Sequence, residues 1–442
     1  MRFSFATTTT VVAIFVAYAC ASGKATDDGA IHPVGSGGAT TAQPGNGGAT
    51  TPTSATGGST AKGGAATGGA ATGGAATGGA PCTPTPLASW KSFAACKATQ
   101  AEMTTAYTSW KALYYAECSD GTAYAKSTDP SGTVAVVSEG VAYGMLMTAN
   151  LGNFADFKKF WATYKKFKNA NGLMSWKLNA NSCPLAVASD GGATNAASDA
   201  DIDAAMALLV AAKAGFDASY ATEAKTLIAA VKSKETASCS GKTVLLAGDS
   251  GWGCSDLNPS YFAPGYFRVF ATVSGDTSWN QMATDALTLL TQWQSAHVDS
   301  TTNALDGKVP DWGKGDGSQG GSISSRASTY GWEACRVPWR VAADYGWFKT
   351  PEAHTFLATM DTKVVKGIGG GFPGNALTDA TRNSAFAGGY GLCGTAIDQD
   401  TANKYFNDWY VNRNLVGDDK YYQRTLRVLY LIMSGGRFDN GQ

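Results

Sequence analysis

The sequence predicts an all-α barrel or toroid, with a functional cleft built from loops at one end. Three observations lead there. Apolar residues recur at helical spacing in one segment after another, and Gly-rich loops with few convincing strands separate those segments. From about residue 85 the composition is that of one globular domain of roughly 355 residues, large for a single core but reasonable for a barrel.

Taken in order, residues 1–22 read as an export signal. Arg2 supplies the basic start, Val11 to Ala19 the apolar core, and small residues follow. That run is shorter than the about 20 residues needed to span a bilayer, and no later segment qualifies. The Ala17-Tyr18-Ala19-Cys20 stretch fits two cleavage routes. One is ordinary signal peptidase. The other is a lipoprotein with Cys20 acylated, although the usual Leu of the lipobox is missing. The mature chain is therefore expected to be secreted or tethered to a bacterial cell surface. Residues 23–84 are dominated by Gly, Ala, Thr, Ser and Pro and end in Gly-Gly-Ala-Ala-Thr repeats from Gly63 to Ala80. Nothing there can bury a core, so the segment reads as a flexible tether. The catalytic domain is expected over 85–442.

Within that domain Thr104 to Cys118 carries Tyr107, Trp110, Leu113 and Tyr114 on one helical face. A buried helix opens near Val137. Asp199 to Phe216 has Ile202, Met206, Leu209 and Val210 on one side, and Ala221 to Lys232, Gln281 to Trp293, Trp339 to Trp347 and Tyr421 to Met433 continue the pattern. Apart from Cys20 there are eight cysteines, and an even number in an exported chain suggests disulfides; Cys239 and Cys254 are the best local pair. The net charge of zero gives no support for nucleic acid or an anionic membrane as partner. Twelve Trp and eighteen Tyr suit sugar contact as well as a large core.

Four motifs carry candidate chemistry. Ser138-Glu139-Gly140 with Tyr143-Gly144-Met145 sets one carboxylate among Gly, aromatic and apolar residues. Desolvation there would raise its pKa toward that of a general acid; the competing reading is a helix start stabilised by a cap and the dipole. Ser198-Asp199-Ala200-Asp201-Ile202-Asp203 packs three acids into five residues, more than capping needs, and lacks the Gly and distant Glu of a calcium loop. Asn258-Pro259-Ser260-Tyr261-Phe262 presents aromatic rings at a loop entering a helix, with Val309-Pro310-Asp311-Trp312 as a smaller counterpart. In Trp332-Glu333-Ala334-Cys335-Arg336-Val337-Pro338-Trp339-Arg340, Glu333 and Arg336 share a helical face, and Arg336 could keep a neighbouring carboxylate ionised, as suits a base. Gly248-Asp249-Ser250-Gly251 looks like a serine-protease motif, but the chain has only His32, His297 and His354, none in a matching context. The same scarcity argues against a zinc hydrolase.

In this order the motifs resemble glycoside hydrolase family 8, bacterial endoglucanases with an (α/α)6 barrel; the resemblance runs from about Trp110 to Tyr430. It implies inverting hydrolysis of β-1,4 glycosidic bonds without a metal or cofactor. Glu139 matches the general acid, Asp199 the acid that binds and helps distort the sugar with Asp201 beside it, Tyr261 a Tyr near the attacking water, and Arg336 an Arg flanking the base. The chain departs from the family at the base, where many members have Asp-Ala-x-Arg and this chain has Glu333-Ala334-Cys335-Arg336. Glu333, one methylene longer, is the favoured base, with loop acids Asp311 or Asp316 as alternatives and Asp311 also a substrate contact. Ala204 stands where the family prefers a larger apolar residue. Trp176 and Trp252, in loop-like contexts, are expected sugar platforms. The expected partner is a polysaccharide, cellulose-type β-1,4-glucan ahead of xylan, lichenan or chitosan, cut by a monomer. An inactive glycan-binding surface protein is the alternative of another class.

Overall fold

The computed structural model describes residues 82–128, 134–179, 183–299, 303–321, 328–365, 383–411 and 420–442. The expected export signal, Cys20 and the tether up to residue 81 lie outside the described residues, while residues 82–84 carry no helix or strand.

Twelve α-helices run through the described residues: α1 (Gln100–Tyr114), α2 (Ser138–Asn150), α3 (Phe154–Lys166), α4 (Ser198–Lys213), α5 (Ser219–Lys234), α6 (Pro264–Ser274), α7 (Ser278–Ala296), α8 (Val337–Phe348), α9 (Pro351–Met360), α10 (Ser384–Cys393), α11 (Gln399–Phe406) and α12 (Tyr421–Ser434). They form two concentric rings. Each even-numbered helix packs against an odd-numbered partner, α2 on α3, α4 on α5, α6 on α7, α8 on α9, α10 on α11 and α12 on α1. Around the inside α2 packs on α4, α6 on α8, α8 on α10 and α10 on α12, which returns to α2, while the 3₁₀ turn Pro259–Tyr261 packs on α4 ahead of α6. This is the (α/α)6 barrel.

Side-chain patterning sorts the helices between the rings. Helices α2, α4 and α10 are buried along almost their whole lengths, as a helix apolar on all sides must be. The outer helices bury one stripe, such as Met103, Tyr107 and Trp110 of α1 or Tyr220, Ala224, Leu227, Ile228 and Val231 of α5. Pro in the first turn starts α6, α8 and α9, where its missing N–H costs nothing. Gly275, at φ 76°, ends α6 in the left-handed conformation that glycine adopts without a steric penalty.

Among the described residues, three small antiparallel sheets decorate the barrel. Strand β1 (Tyr115–Glu117) pairs with β2 (Ala123–Ala125), so the helix expected to continue to Cys118 stops at Tyr114. Strands β3 (Ser127–Thr128), β4 (Val134–Val137), β5 (Lys177–Asn179) and β6 (Ala186–Val187) form a four-stranded sheet in that order. Its Val137–Lys177 pairing brings the chain directly into Glu139. Strands β7 (Thr236–Cys239) and β8 (Lys242–Leu245) make a hairpin. Runs of two to four residues are too short for alternation to show in a sequence.

Cys239 and Cys254 are disulfide-bonded as expected, and Cys118 bonds Cys183. Cys82 and Cys96 are disulfide-bonded as well. The even count does not extend to full pairing, because Cys335 and Cys393 are free thiols buried in the barrel. Packing there leaves no slack. A Cβ on Gly389 of α10 would stand 2.7 Å from the Cys335 carbonyl oxygen, which Tyr430 OH also holds at 3.2 Å. We therefore expect Gly389→Ala to destabilise the fold by about 1–3 kcal/mol through overpacking against backbone that cannot yield, measured as a lower urea midpoint at unchanged m-value.

Candidate active site

The site is assembled at the N-terminal ends of the inner helices. Helix α2 follows extended Val137 with no side-chain cap, and the Ser138 N–H is taken by the Trp176 carbonyl at 2.9 Å. Helix α4 likewise starts without a side-chain cap; Ser198 donates its hydroxyl to the Leu246 carbonyl. The capping reading of Ser138, Ser198 and Asp199 therefore gives way. The serines tie the helix starts to neighbouring loops, and the acids that follow sit where the helix dipole favours negative charge.

The third segment is a single 3₁₀ turn, Ala334–Arg336, at the entry to α8. It is shaped from below by Asp311, whose Oδ1 accepts N–H donors from Gly331, Glu333 and Ala334 at 2.9, 3.1 and 2.8 Å. Asn258 steadies its own 3₁₀ turn by accepting from Ser260 N and Oγ at 3.0 and 2.7 Å. Its amide donates to Glu333 Oε2 at 2.9 Å.

These segments meet at Arg336, which is 0% exposed. Its Nη1 donates to Glu139 Oε2 and Asp199 Oδ2, both at 2.8 Å, and lies 2.9 Å from Tyr143 OH. Its Nη2 donates to Glu333 Oε2 at 2.6 Å. The guanidinium carbon lies 5.4 Å from the centre of the Tyr261 ring. Glu139, Asp199, Glu333, Tyr261 and Arg336, all singled out in the sequence, are thus brought together around one cation. A second buried pair lies one helical turn on: Arg340 grips Asp203 with both terminal nitrogens at 2.5 and 2.9 Å and stacks 4.0 Å from Trp339.

Burial dominates the electrostatics. It pushes the Asp199 carboxyl up to about 6, against the pull of Arg336. Burial, reinforced by the charge of Glu333, pushes Asp311 up to about 7 despite its three backbone donors.

Other expected site residues are placed differently. Asp201 faces away from Arg336, because residues two apart on a helix do not share a face; its Oδ1 accepts from Tyr164 OH and from Met174 N at 3.2 Å. Asp311 is occupied in shaping the Glu333 turn. Asp316 is exposed and accepts from Ser318 N and Oγ at 2.8 and 2.7 Å in its own turn. Trp176 is half-buried beside the start of α2, donating to the Gly192 carbonyl at 3.1 Å. Trp252, also half-buried, stacks in parallel on Trp312 with ring centres 5.5 Å apart and planes 6° from parallel. Tyr143, Asn258 and Trp312 stood inside the quoted motifs, but only the geometry assigns them contacts. In the protease-like motif, Asp249 accepts from the Asn169 and Asn171 amides at 2.7 and 2.8 Å, and His297 pairs with Asp306 at 2.7 Å. Among the described residues there is no cluster of His, Cys, Asp or Glu suited to a metal, and no helix is long and apolar enough to cross a membrane.

A barrel of paired helices with separated carboxyls at one end of its inner ring defines the class of α-barrel glycoside hydrolases. The model of the family "Glycosyl hydrolases family 8" matches residues 85–436, and the chain belongs to that family. It is 32% identical over 327 residues to "Endoglucanase 2" of Ruminiclostridium josui, covering 71% of this chain and 66% of that one. It is 33% identical over 326 residues to "Endoglucanase A" of Acetivibrio thermocellus, covering 71% and 64%. The chain thus spans just under two thirds of the length of these relatives. Among solved structures, the β-1,3-1,4-glucanase of Paenibacillus sp. X4 shares the fold with a TM-score of 0.64 at 21% identity, covering 81% of this chain and 99% of that one. A cold-adapted family 8 xylanase does so with a TM-score of 0.62 at 19% identity, covering 77% and 92%.

Removing the shared cation should leave two buried carboxyls, Glu139 and Asp199, and the half-buried Glu333 without their counter-ion. Arg336→Met is expected to lower unfolding free energy by about 3–5 kcal/mol at neutral pH. Without Arg336, burial would hold the Asp199 carboxyl still further above its unfolded value. The stability it contributes would then be complete below the ordinary carboxylate range and lost as pH rises through the raised value. The deficit should accordingly shrink toward about pH 4, as read from urea titrations across pH.

Proposed function

We propose that the chain is an endo-acting glycosidase that hydrolyses β-1,4-glucan of the cellulose type with inversion, using Glu139 as general acid and Glu333 as general base. The observation that carries this reading is the placing of both carboxylates on separate nitrogens of the Arg336 guanidinium. Inverting hydrolysis needs one carboxyl on each side of the scissile bond, roughly 6.5–9.5 Å apart, with a water between base and sugar. Two separated carboxylates around a fixed cation suit that division. The endoglucanase names of the relatives at 32% and 33% identity favour a β-1,4-glucan substrate.

In this reading Arg336 holds Glu139 Oε2, and the donated proton leaves from the other oxygen. Glu333, steadied by Asn258 and Arg336, takes a proton from the water that attacks the anomeric carbon. The C1–O bond to the leaving sugar breaks as the bond from water forms. Glu139 ends ionised and Glu333 protonated, so the charge around Arg336 is unchanged by the step. Asp199 fixes sugar hydroxyls, Tyr261 flanks the water, and Trp176 with the Trp252–Trp312 stack offers flat faces to pyranose rings. Asp311 acts through the Glu333 turn it shapes and does not serve as the base. The enzyme is further proposed to act outside the cytoplasm, released or held by a lipid on Cys20, a placement that its disulfides favour.

Glu139→Gln and Glu333→Gln should each lower kcat on carboxymethylcellulose by about 10²–10⁴-fold with KM little changed, while Asp311→Asn should cost stability before turnover. Products from wild type, followed by NMR, should appear first as the α-anomer. Near-normal turnover in Glu333→Gln would move the base elsewhere. Faster cutting of xylan, lichenan or chitosan in the same assay would reassign the substrate, and no cutting of any of them would leave only glycan binding.

A further inference from the structure

Two buried carboxyls take no part in the chemistry above. Asp201 and Glu235 are both 0% exposed. Glu235 follows the last turn of α5, and its carbonyl accepts from Leu246 N at 2.7 Å. Leu246 in turn receives the Ser198 hydroxyl at the start of α4. Asp201 Oδ1 has its two donors, Tyr164 OH and Met174 N. Asp201 Oδ2 and both Glu235 oxygens meet no N–H or O–H donor. They face each other instead, in a carboxyl–carboxyl contact.

Two acceptors cannot hold one another unless a proton lies between them, and two bare charges in a fully buried site are strongly disfavoured. The surroundings do not supply a substitute. The titratable groups that act on the pair are Tyr164 at the end of α3, Lys168 just beyond it, Asp199 on α4 and Asp249 after β8. Lys168 is the one cation among these, and Glu223 acts on it more strongly than Asp201 does.

We propose that Asp201 and Glu235 share a single proton, and that Glu235 is through it a positioning residue for the start of α4 and hence for Asp199. The positioning half rests on the role given to Asp199 above; the shared proton does not. The pair keeps a proton that the same acids lose when unfolded. Its contribution to stability is complete below the ordinary carboxylate range and is lost as pH rises through the raised value of the pair. In Glu235→Gln the amide supplies the missing donor to an ionised Asp201, at the same net charge and with nothing left to titrate.

The test is the melting temperature of wild type, Glu235→Gln and Glu235→Leu from about pH 6 to 9, with kcat and KM on carboxymethylcellulose over the same range. Wild type should lose melting temperature steadily with pH, while Glu235→Gln stays flatter. The alkaline limb of kcat should move up by about one pH unit in Glu235→Gln relative to its own neutral value. The kcat of Glu235→Leu should fall about tenfold or more below that of Glu235→Gln at every pH, because Asp201 Oδ2 then has no donor. Parallel melting curves for wild type and Glu235→Gln would overturn the shared proton. A flatter curve with an unmoved kcat profile would overturn the positioning role alone. Should Glu235→Gln fail to fold, Asp201→Asn carries the melting comparison, with the same flattening expected and parallel curves again overturning the proposal. Because the melting arm needs no substrate, it decides the proton even if no polysaccharide is cut.

Discussion

The structure depends on one guanidinium. Glu139, Asp199 and Glu333 arrive from three separate stretches of chain, and each places an oxygen within hydrogen-bond distance of Arg336. Without it, these three carboxylates would repel one another and push their helix starts apart. With it, one positive charge faces three acids, an excess that the N-terminal dipoles of α2 and α4 partly offset. The raised Asp199 carboxyl reflects its burial, which the charge of Arg336 does not fully offset. The arrangement is pre-formed, and in the proposed mechanism a fixed cation between proton donor and proton acceptor needs no reorganisation while charge passes from one to the other.

Keeping Arg336 fixed is the task of the layer behind it. Cys335 N–H bonds the Gly331 carbonyl at 3.0 Å, Asp311 gathers three N–H groups of the same turn, and Gly389 lets α10 lie against the Cys335 carbonyl. This explains how the chain accommodates Glu where many members of its family carry Asp. The extra methylene is taken up by a side chain held at one oxygen by both Arg336 and Asn258. The longer reach is therefore constrained by two donors and does not add freedom to the carboxylate.

Much of this was legible in the sequence because each site motif opens an inner helix. Acids, glycines and aromatics gather there in short runs that stand out from the apolar helix bodies behind them. The amphipathic outer helices α5 and α7 showed by their periodicity. The elements that escaped were those without a pattern. Helix α10, Ser-Ala-Phe-Ala-Gly-Gly-Tyr-Gly-Leu-Cys, is buried on all sides and holds three glycines, so neither periodicity nor propensity marks it. Asp201 was placed beside Asp199 by adjacency in sequence, whereas helical geometry turns it toward Tyr164. Glu235 carried no signal at all, because its meaning lies in a partner on another helix.

The aromatic content that suggested sugar contact is mostly spent elsewhere. Trp110, Trp161, Trp279, Trp293, Trp339, Trp347 and Trp409 are fully buried. Trp347 stacks on Phe438, and Trp339 lies under Arg340. Each such ring buries large apolar area, worth about 25 cal/mol per Å². A barrel that places Glu139, Asp199, Asp201, Asp203, Glu235 and Asp311 in its interior, with Arg336 and Arg340 as buried cations for three of them, needs that compensation. The Trp-rich core is thus the counterpart of the acidic site, supplying the stability that the clustered carboxyls remove. The half-buried Trp176 and Trp252, by contrast, stand at loops where a ring can still meet a ligand.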